Sequence, residues 1–287
     1  MNKIEIKDLY LVFGPEKQKA FRMLKERKSK NEILKATNCT VAVKNANLTI
    51  KEGEFFVIMG LSGSGKSTLL RCINRLIKPT KGQVLINGTD ITAASDKELL
   101  EMRRREIAMV FQNFGLLPHR SVLSNIAFGL ELQGVPKQER EKKAMKSMEI
   151  VGLKGYQNQM VGQLSGGMQQ RTAIARALAY EPSFIMMDEP FAGNDIFNRE
   201  DFYKVLLGIL EPHETVILST HLIEEVTGFI GRAVLLHHGK IVGDTQTAEL
   251  DEQGKTLMDY VKETYCYQSD RVSRALTELT GMEDEDA

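Results

Sequence analysis

The sequence predicts an α/β protein with a mainly parallel sheet, an antiparallel β edge and an inserted helical subdomain. Three observations carry that reading. Apolar runs at residues 54–59, 107–111, 184–187, 215–219 and 232–236 alternate with helical stretches, as a parallel sheet covered by helices on both faces requires. The run Gly60-Leu61-Ser62-Gly63-Ser64-Gly65-Lys66-Ser67 falls between one of those strands and a helix. Residues 113–163 lose the strand texture and take on helical periodicity instead.

Taken in order, residues 4–12 read as an edge strand, and residues 40–50 alternate in the same way. Between them a basic helical insertion spans about 15–38, with helical composition over 16–37 and with Gly14 or Asn38 available to mark its limits. Phe21, Leu24, Ile33 and Leu34 are its packing residues. The strand 54–59 is followed by a helix from Gly65 to about Leu76. A short strand at 83–86 ends in an Asn87-Gly88 turn. The helical subdomain, about 113–165, holds helices at 122–132 and 138–151. Another helix covers 166–180, and strands at 184–187, 215–219 and 232–236 return to the sheet. Beyond about residue 245 helices are expected at 256–261 and 272–279, before an acidic end. This divides the chain into a main domain, 1–245, and a C-terminal helical extension with an acidic tail, 246–287.

Composition narrows the classes of function. At 287 residues and 42% hydrophobic, the chain supports one large core with a smaller lobe. Lys plus Arg equals Asp plus Glu, 38 each, so the overall charge favours no nucleic-acid partner. Residues 14–40 are locally basic, carrying eight Lys or Arg against Glu16, Glu26 and Glu32, a composition that also suits an ordinary solvated helix face. Cys39, Cys72 and Cys266 show no zinc spacing and point to a reducing compartment. The start MNKIEIKDLY lacks a signal-peptide core, and no apolar run is long enough to span a bilayer. A membrane role therefore needs a partner that supplies the span.

The residues from Gly60 to Ser67 complete the G-x-x-x-x-G-K-S pattern and are followed by Thr68, which identifies a P-loop NTPase core. Gly60, Gly63 and Gly65 let the backbone wrap closely, so that its N–H groups, including those of Ser62 and Ser64, face phosphate oxygens at a helix N-terminus. Lys66 reaches the β and γ phosphates, and the Ser67 hydroxyl is a ligand for Mg²⁺. Residues 184–187 then lead into Asp188-Glu189, two carboxylates at the end of an apolar strand. Asp188 suits the metal through water, and Glu189 suits the attacking water. By itself a P-loop allows kinases, GTPases, helicases and transport ATPases; hydrolysis of ATP with Mg²⁺ and no covalent intermediate is the expectation once the segment 164–171 is added.

The segment Leu164-Ser165-Gly166-Gly167-Met168-Gln169-Gln170-Arg171 resembles the signature motif of the ABC ATPase family, and it lies just ahead of the Asp188 strand as that family expects. The resemblance implies further roles. Gln112 corresponds to the Q-loop glutamine, which reads metal and water and links to a transmembrane partner. His221 corresponds to the switch histidine near the γ-phosphate, and Asp195 to the D-loop aspartate. Ser165, Gly166 and Gly167 are expected to complete the site of a second ATPase subunit, with two nucleotides sandwiched in a homodimer. The family stacks adenine on an aromatic residue; Tyr10 and Phe13 are the options, and Phe13 matches better.

Residues 1–190 are similar to the ATPase of glycine betaine/proline-type osmoprotectant importers, notably Val57-Ile58-Met59-Gly60-Leu61-Ser62, Arg71-Cys72-Ile73-Asn74-Arg75-Leu76, Phe111-Gln112-Asn113-Phe114, Leu117-Pro118-His119-Arg120 and the basic insertion. That resemblance implies integral permease subunits, a substrate-binding protein if transport is inward, and a peripheral position on the cytoplasmic face of the membrane. The regulatory CBS domain pair typical of that family is not expected within 287 residues. The remainder departs from the pattern. Ala192-Gly193-Asn194-Asp195 stands where Ser-Ala-Leu-Asp is usual, and 219–226 with 238–242 look more like ATPases of drug- or antibiotic-related exporters. An exporter ATPase, a soluble ABC ATPase acting on nucleic acid, and an ATP-binding regulatory module therefore stand as alternatives. Leu116, Leu117 and Val122 are the candidate docking residues for a membrane partner.

Overall fold

The computed structural model describes residues 2–190, 214–223, 226–228 and 230–265. Asp195, the altered segment 192–194, Cys266 and the helix expected at 272–279 lie outside the described residues.

Two sheets organise the described residues. The first is antiparallel and contains β1 (Asn2–Phe13), β2 (Thr40–Lys51), β4 (Lys81–Ile86) and β5 (Thr89–Asp90) in the order β2-β1-β4-β5. The second contains β3 (Phe55–Met59), β6 (Ile107–Val110), β7 (Phe184–Asp188), β8 (Thr215–Thr220), β9 (Arg232–His237) and β10 (Lys240–Gln246) in the order β10-β9-β3-β8-β7-β6. All its pairings are parallel except the β9–β10 hairpin. Each of β3, β7 and β8 is paired on both sides and packed on both faces, which is why these strands read as unbroken apolar runs.

The strand expected at an edge is interior. β1 pairs with β2 on one side and β4 on the other. Its alternating burial suggested an edge, but alternation reports which faces are covered and not how many neighbours a strand has.

The basic insertion is likewise two helices, not one: α1 (Lys17–Lys25) and α2 (Lys30–Thr37). Arg27 turns through φ +59° between them, and Ser29 restarts the chain as a capping box, with its hydroxyl accepting from Glu32 N–H and its own N–H donating to the Glu32 carboxylate. Asn38, left-handed at φ +51°, closes α2. Ala20, Leu24 and Ile33 seat the pair on Val12, Cys39 and Val41.

The long expected helix after the glycine-rich turn is α3 (Lys66–Ile73). Helix α4 (Asp96–Arg105) and strand β10 are among the elements that went unread. The helix buries only Leu99, so it has no apolar stripe to betray it beyond its Ser95/Glu98 capping box. Strand β10 buries only Thr245, and its apolar residues are confined to Ile241 and Val242, so it lacks the continuous apolar run of the central strands.

In the lobe, the stretch expected as one helix is divided into α5 (Val122–Ile126) and α6 (Phe128–Leu132), followed by α7 (Lys137–Ile150). These pack with α8 (Gly166–Leu178) through Ile126, Leu130, Ala144, Met148, Leu153 and Ala175. Val122 is fully buried in that same cluster, so it is removed from the docking surface proposed for it. Buried Asn125 ties the loop before α5 in place: its Oδ1 accepts from Leu117 N–H at 2.7 Å, and its Nδ2 donates to Leu117 O at 3.0 Å. Past β10, α9 (Thr247–Glu252) and α10 (Leu257–Thr264) set Leu250 and Leu257 against the central sheet. Among the described residues, no helix is long and apolar enough to cross a membrane.

Candidate active site

Parallel strands share a direction, so the segments leaving their C-terminal ends meet on one rim, the place where open α/β sheets bind ligands. Gly60 follows β3, Gln112 lies just past β6, Asp188 and Glu189 end and follow β7, and His221 follows β8. The strand order β3-β8-β7-β6 brings these ends together.

The glycine-rich turn is a steric necessity here. A side chain at Gly60 would meet Leu236 O at 2.4 Å, and Gly65, at φ +107°, passes so close to β2 that a Cβ would lie 2.8 Å from Ala42 O. Phe13, Ser62, Gly63, Gly65, Lys66, Ser67, Thr68, Gln112 and Glu189 line one cleft of about 410 Å³. Ser64 is buried and does not line it, and among the described residues its hydroxyl has no hydrogen-bond partner. Its contribution to the cleft is therefore its backbone. Of the two aromatic options, Phe13 is on the cleft, whereas Tyr10 packs edge-on against Phe21 of α1, ring centres 5.4 Å apart.

Lys66 is buried, and its ammonium donates to Gly60 O at 2.8 Å and lies 3.1 Å from Glu189 Oε1. The other oxygen of Glu189 lies 3.3 Å from His221 Nδ1. Glu189 reaches both because its backbone turns left-handed, φ +45°, a conformation costing a non-glycine residue about 1–2 kcal/mol. Ser219 holds it there: the Glu189 N–H donates to Ser219 O at 3.0 Å. Ser219 stands beside Asp188 in the β7–β8 register, and its hydroxyl donates to Asp188 Oδ1 at 2.9 Å. Among the described residues the second oxygen of Asp188, fully buried, has no hydrogen-bond partner, and the Arg71 guanidinium lies 3.6 Å from it.

That orphaned oxygen is one to which a hydrated hard cation would hydrogen-bond through its water. With the Ser67 hydroxyl and the Gln112 amide on the cleft, the donor set is all oxygen and contains a single carboxylate, as Mg²⁺ held jointly with phosphate requires.

Ser165, Gly166 and Gly167 are not on this cleft. Ser165 caps α8, its hydroxyl accepting from Met168 N–H, and Ser165 and Gly166 are exposed. An outward-facing helix N-terminus beside two glycines suits an anion presented by another molecule.

Some cleft residues escaped sequence reading. Thr40, Val41 and Ala42 of β2 and Lys30 of α2 form its remaining wall, and Ser219 binds the Asp188 carboxylate and the Glu189 backbone N–H. Lys30 was visible only as one charge in a basic run, and Ser219 only as the second residue before His221.

Comparison with known proteins identifies the family and the fold. The family described as ABC transporter matches residues 43–192. The glycine betaine/carnitine transport ATP-binding protein of Listeria monocytogenes is 46% identical over 84% of this chain and 61% of its own. The glycine betaine/proline betaine transport system ATP-binding protein of Escherichia coli is 47% identical over 84% of this chain and 60% of its own. The chain thus spans about 60% of the length of these relatives. The Listeria alignment runs over 243 residues, further than the 190 over which the motifs were read. Among solved structures, a dimeric ATP-binding cassette in a post-hydrolysis state with ADP and Pi superposes with a TM-score of 0.72 at 34% identity, covering 85% of this chain and 98% of that one.

Proposed function

The chain belongs to the ABC transporter family of ATP-binding proteins, and from that premise we propose that it is the ATP-hydrolysing subunit powering uptake of a quaternary-ammonium, betaine-type osmoprotectant. The observation that carries this reading is the single cleft in which an aromatic ring, a phosphate-binding loop, a buried lysine and the Glu189 carboxylate meet. The substrate class rests on the relatives, whose names specify glycine betaine with carnitine or proline betaine.

In this reading Phe13 stacks on the base, while the amides of residues 62–68 and Lys66 stabilise phosphate charge. Ser67, Gln112 and Asp188 would hold Mg²⁺, which when bound would supply positive charge to the phosphates. Glu189 and His221 orient and polarise the attacking water in line with the γ-phosphorus, and Gln112 reports its presence. Ser165, Gly166 and Gly167, facing outward, cap the nucleotide of a second copy, as supported by the dimeric cassette to which the chain is similar. Asp195 acts at the boundary between the two copies. ATP thereby joins the dimer, and hydrolysis loosens it.

A permease subunit of the membrane docks in the apolar groove between α4, β6, α6 and α8. This groove, of about 360 Å³, is lined by Leu76, Leu100, Phe111, Phe128 and Leu132. Leu76, Leu100 and Leu132 are each about 45% exposed, a concentration of bare leucine that suits a protein partner. Gln112 follows Phe111 directly, which gives the groove a mechanical link to the cleft. The protein accordingly works at the cytoplasmic face of the membrane, and inward transport adds a substrate-binding protein outside it.

Magnesium-dependent ATP hydrolysis by the purified chain, and co-purification of a multi-span subunit from native membranes, test the proposal. Hydrolysis without any integral partner would retain the ATPase and remove the transporter. Failure to bind ATP at all would remove both.

A further inference from the structure

We propose that Lys30, from the helical insertion, is a nucleotide-binding residue that takes the α-phosphate of the nucleoside di- or triphosphate bound in the cleft. The inference rests on the ATPase reading and adds to it a contact from outside the glycine-rich loop.

The geometry is as follows. Lys30 opens α2, fixed by the Ser29/Glu32 capping box, and its side chain forms part of the cleft wall with Phe13, Thr40, Val41 and Ala42. The position along that wall can be read from contacts. Phe13 pairs with Thr40 at the start of β2. Two residues on, about 7 Å along the strand, Ala42 O packs against both Gly65 of the phosphate loop and Gly239 of the β9–β10 turn. Gly239 is itself bound to the loop, its N–H donating to Ser64 O at 2.7 Å. A Cβ on Gly239 would lie 3.3 Å from Lys30 Nζ, so the ammonium sits at the loop end of the wall, away from the aromatic ring. A nucleotide whose base lies on Phe13 and whose terminal phosphates lie at Lys66 passes this point with its ribose and α-phosphate.

The charge balance supports an anion there. Among the described residues no carboxylate pairs with Lys30, which is half-buried. Burial, and then the neighbouring Lys44, lower its affinity for a proton, and burial followed by Lys240 does the same to Lys44. Among the described residues no carboxylate pairs with Lys44 or Lys240 either, and the three cations gain by a phosphate that hydrogen-bonds the nearest of them.

Equilibrium titration of the purified chain with Mg-ADP, and with Mg-ATP in the Glu189→Gln background, tests the assignment. Lys30→Met is expected to weaken both nucleotides by the same factor, about tenfold, with Lys30→Arg keeping most of the affinity. Hydrolysis assays should show KM raised with kcat little changed, since an α-phosphate contact does not alter between ground and transition state. Unchanged affinity for both nucleotides in Lys30→Met would overturn the proposal, as would weakening of ATP alone, which places the lysine at the γ-phosphate. Should Lys30→Met fold poorly, Lys30→Gln is measured in its place under the same criteria. Wild-type protein that binds neither nucleotide would defeat the ATPase reading itself, a result distinct from loss or retention in the variants.

Discussion

The Glu189 carboxylate bridges Lys66 and His221, with one oxygen 3.1 Å from the lysine ammonium and the other 3.3 Å from His221 Nδ1. A single side chain thus touches the residue proposed to hold phosphate and the residue proposed to sense it. The bridge needs the left-handed backbone at Glu189, and such conformations persist where the surroundings over-determine them.

Replacing Glu189 by Gln preserves the shape of this bridge and removes its basicity. Turnover is expected to fall by about 10²–10⁴-fold, with ATP affinity retained and a nucleotide-bound dimer accumulating. Steady-state hydrolysis together with size-exclusion chromatography in ATP measures both; turnover within a fewfold of wild type would take Glu189 out of the catalytic role.

Lys66→Ala acts earlier in the cycle. The lysine is buried and aims its ammonium into the loop, so its loss removes charge-assisted contacts to phosphate. ATP affinity is expected to drop about 10–100-fold. A binding isotherm indistinguishable from wild type is the result incompatible with this placement.

Ser219→Ala separates positioning from binding. The hydroxyl donates to Asp188 Oδ1 and stands 3.1 Å from Glu189 N–H, but it does not line the cleft. The expected outcome is a kcat about tenfold lower, because small displacements of catalytic groups are costly, with ATP affinity within about twofold and with about 1 kcal/mol lost from stability. Ser219→Thr, which keeps the hydroxyl, should restore kcat. Equal losses in Thr and Ala variants would argue against the hydrogen bond as the cause.

Cys72 gives a prediction about pH. Burial raises its thiol from 9.0 to about 12, so the folded chain keeps the proton that the unfolded chain releases. Its contribution to stability is therefore complete below pH 9 and is lost as pH rises from 9 toward about 12. At pH 8 iodoacetamide should leave Cys72 unmodified in folded protein and alkylate it after denaturation. Rapid modification under native conditions, read by mass spectrometry of the peptide, would contradict this burial.

Much of the site was legible because its chemistry is written in contiguous residues. A phosphate loop must keep its glycines, its lysine and its serine at fixed spacing, so residues 60–68 announce themselves. An apolar strand ending in Asp188-Glu189 does nearly the same. Individual elements were harder. Helix α4 has little buried surface, and α1 and α2 share one composition, so neither periodicity nor composition revealed the break at Arg27.

The chain's own order of residues therefore determined the family, the loop, the carboxylate pair and the alternation of strands with helices. Only the tertiary structure decided which segments converge. It put β1 between two partners, buried Val122 in the lobe, set Ser219 beside Asp188 and brought Lys30 to the wall of the cleft. Spacing along a chain encodes the needs of one loop or one strand. Contacts between residues tens to more than a hundred positions apart arise from sheet order and packing, which no local pattern specifies.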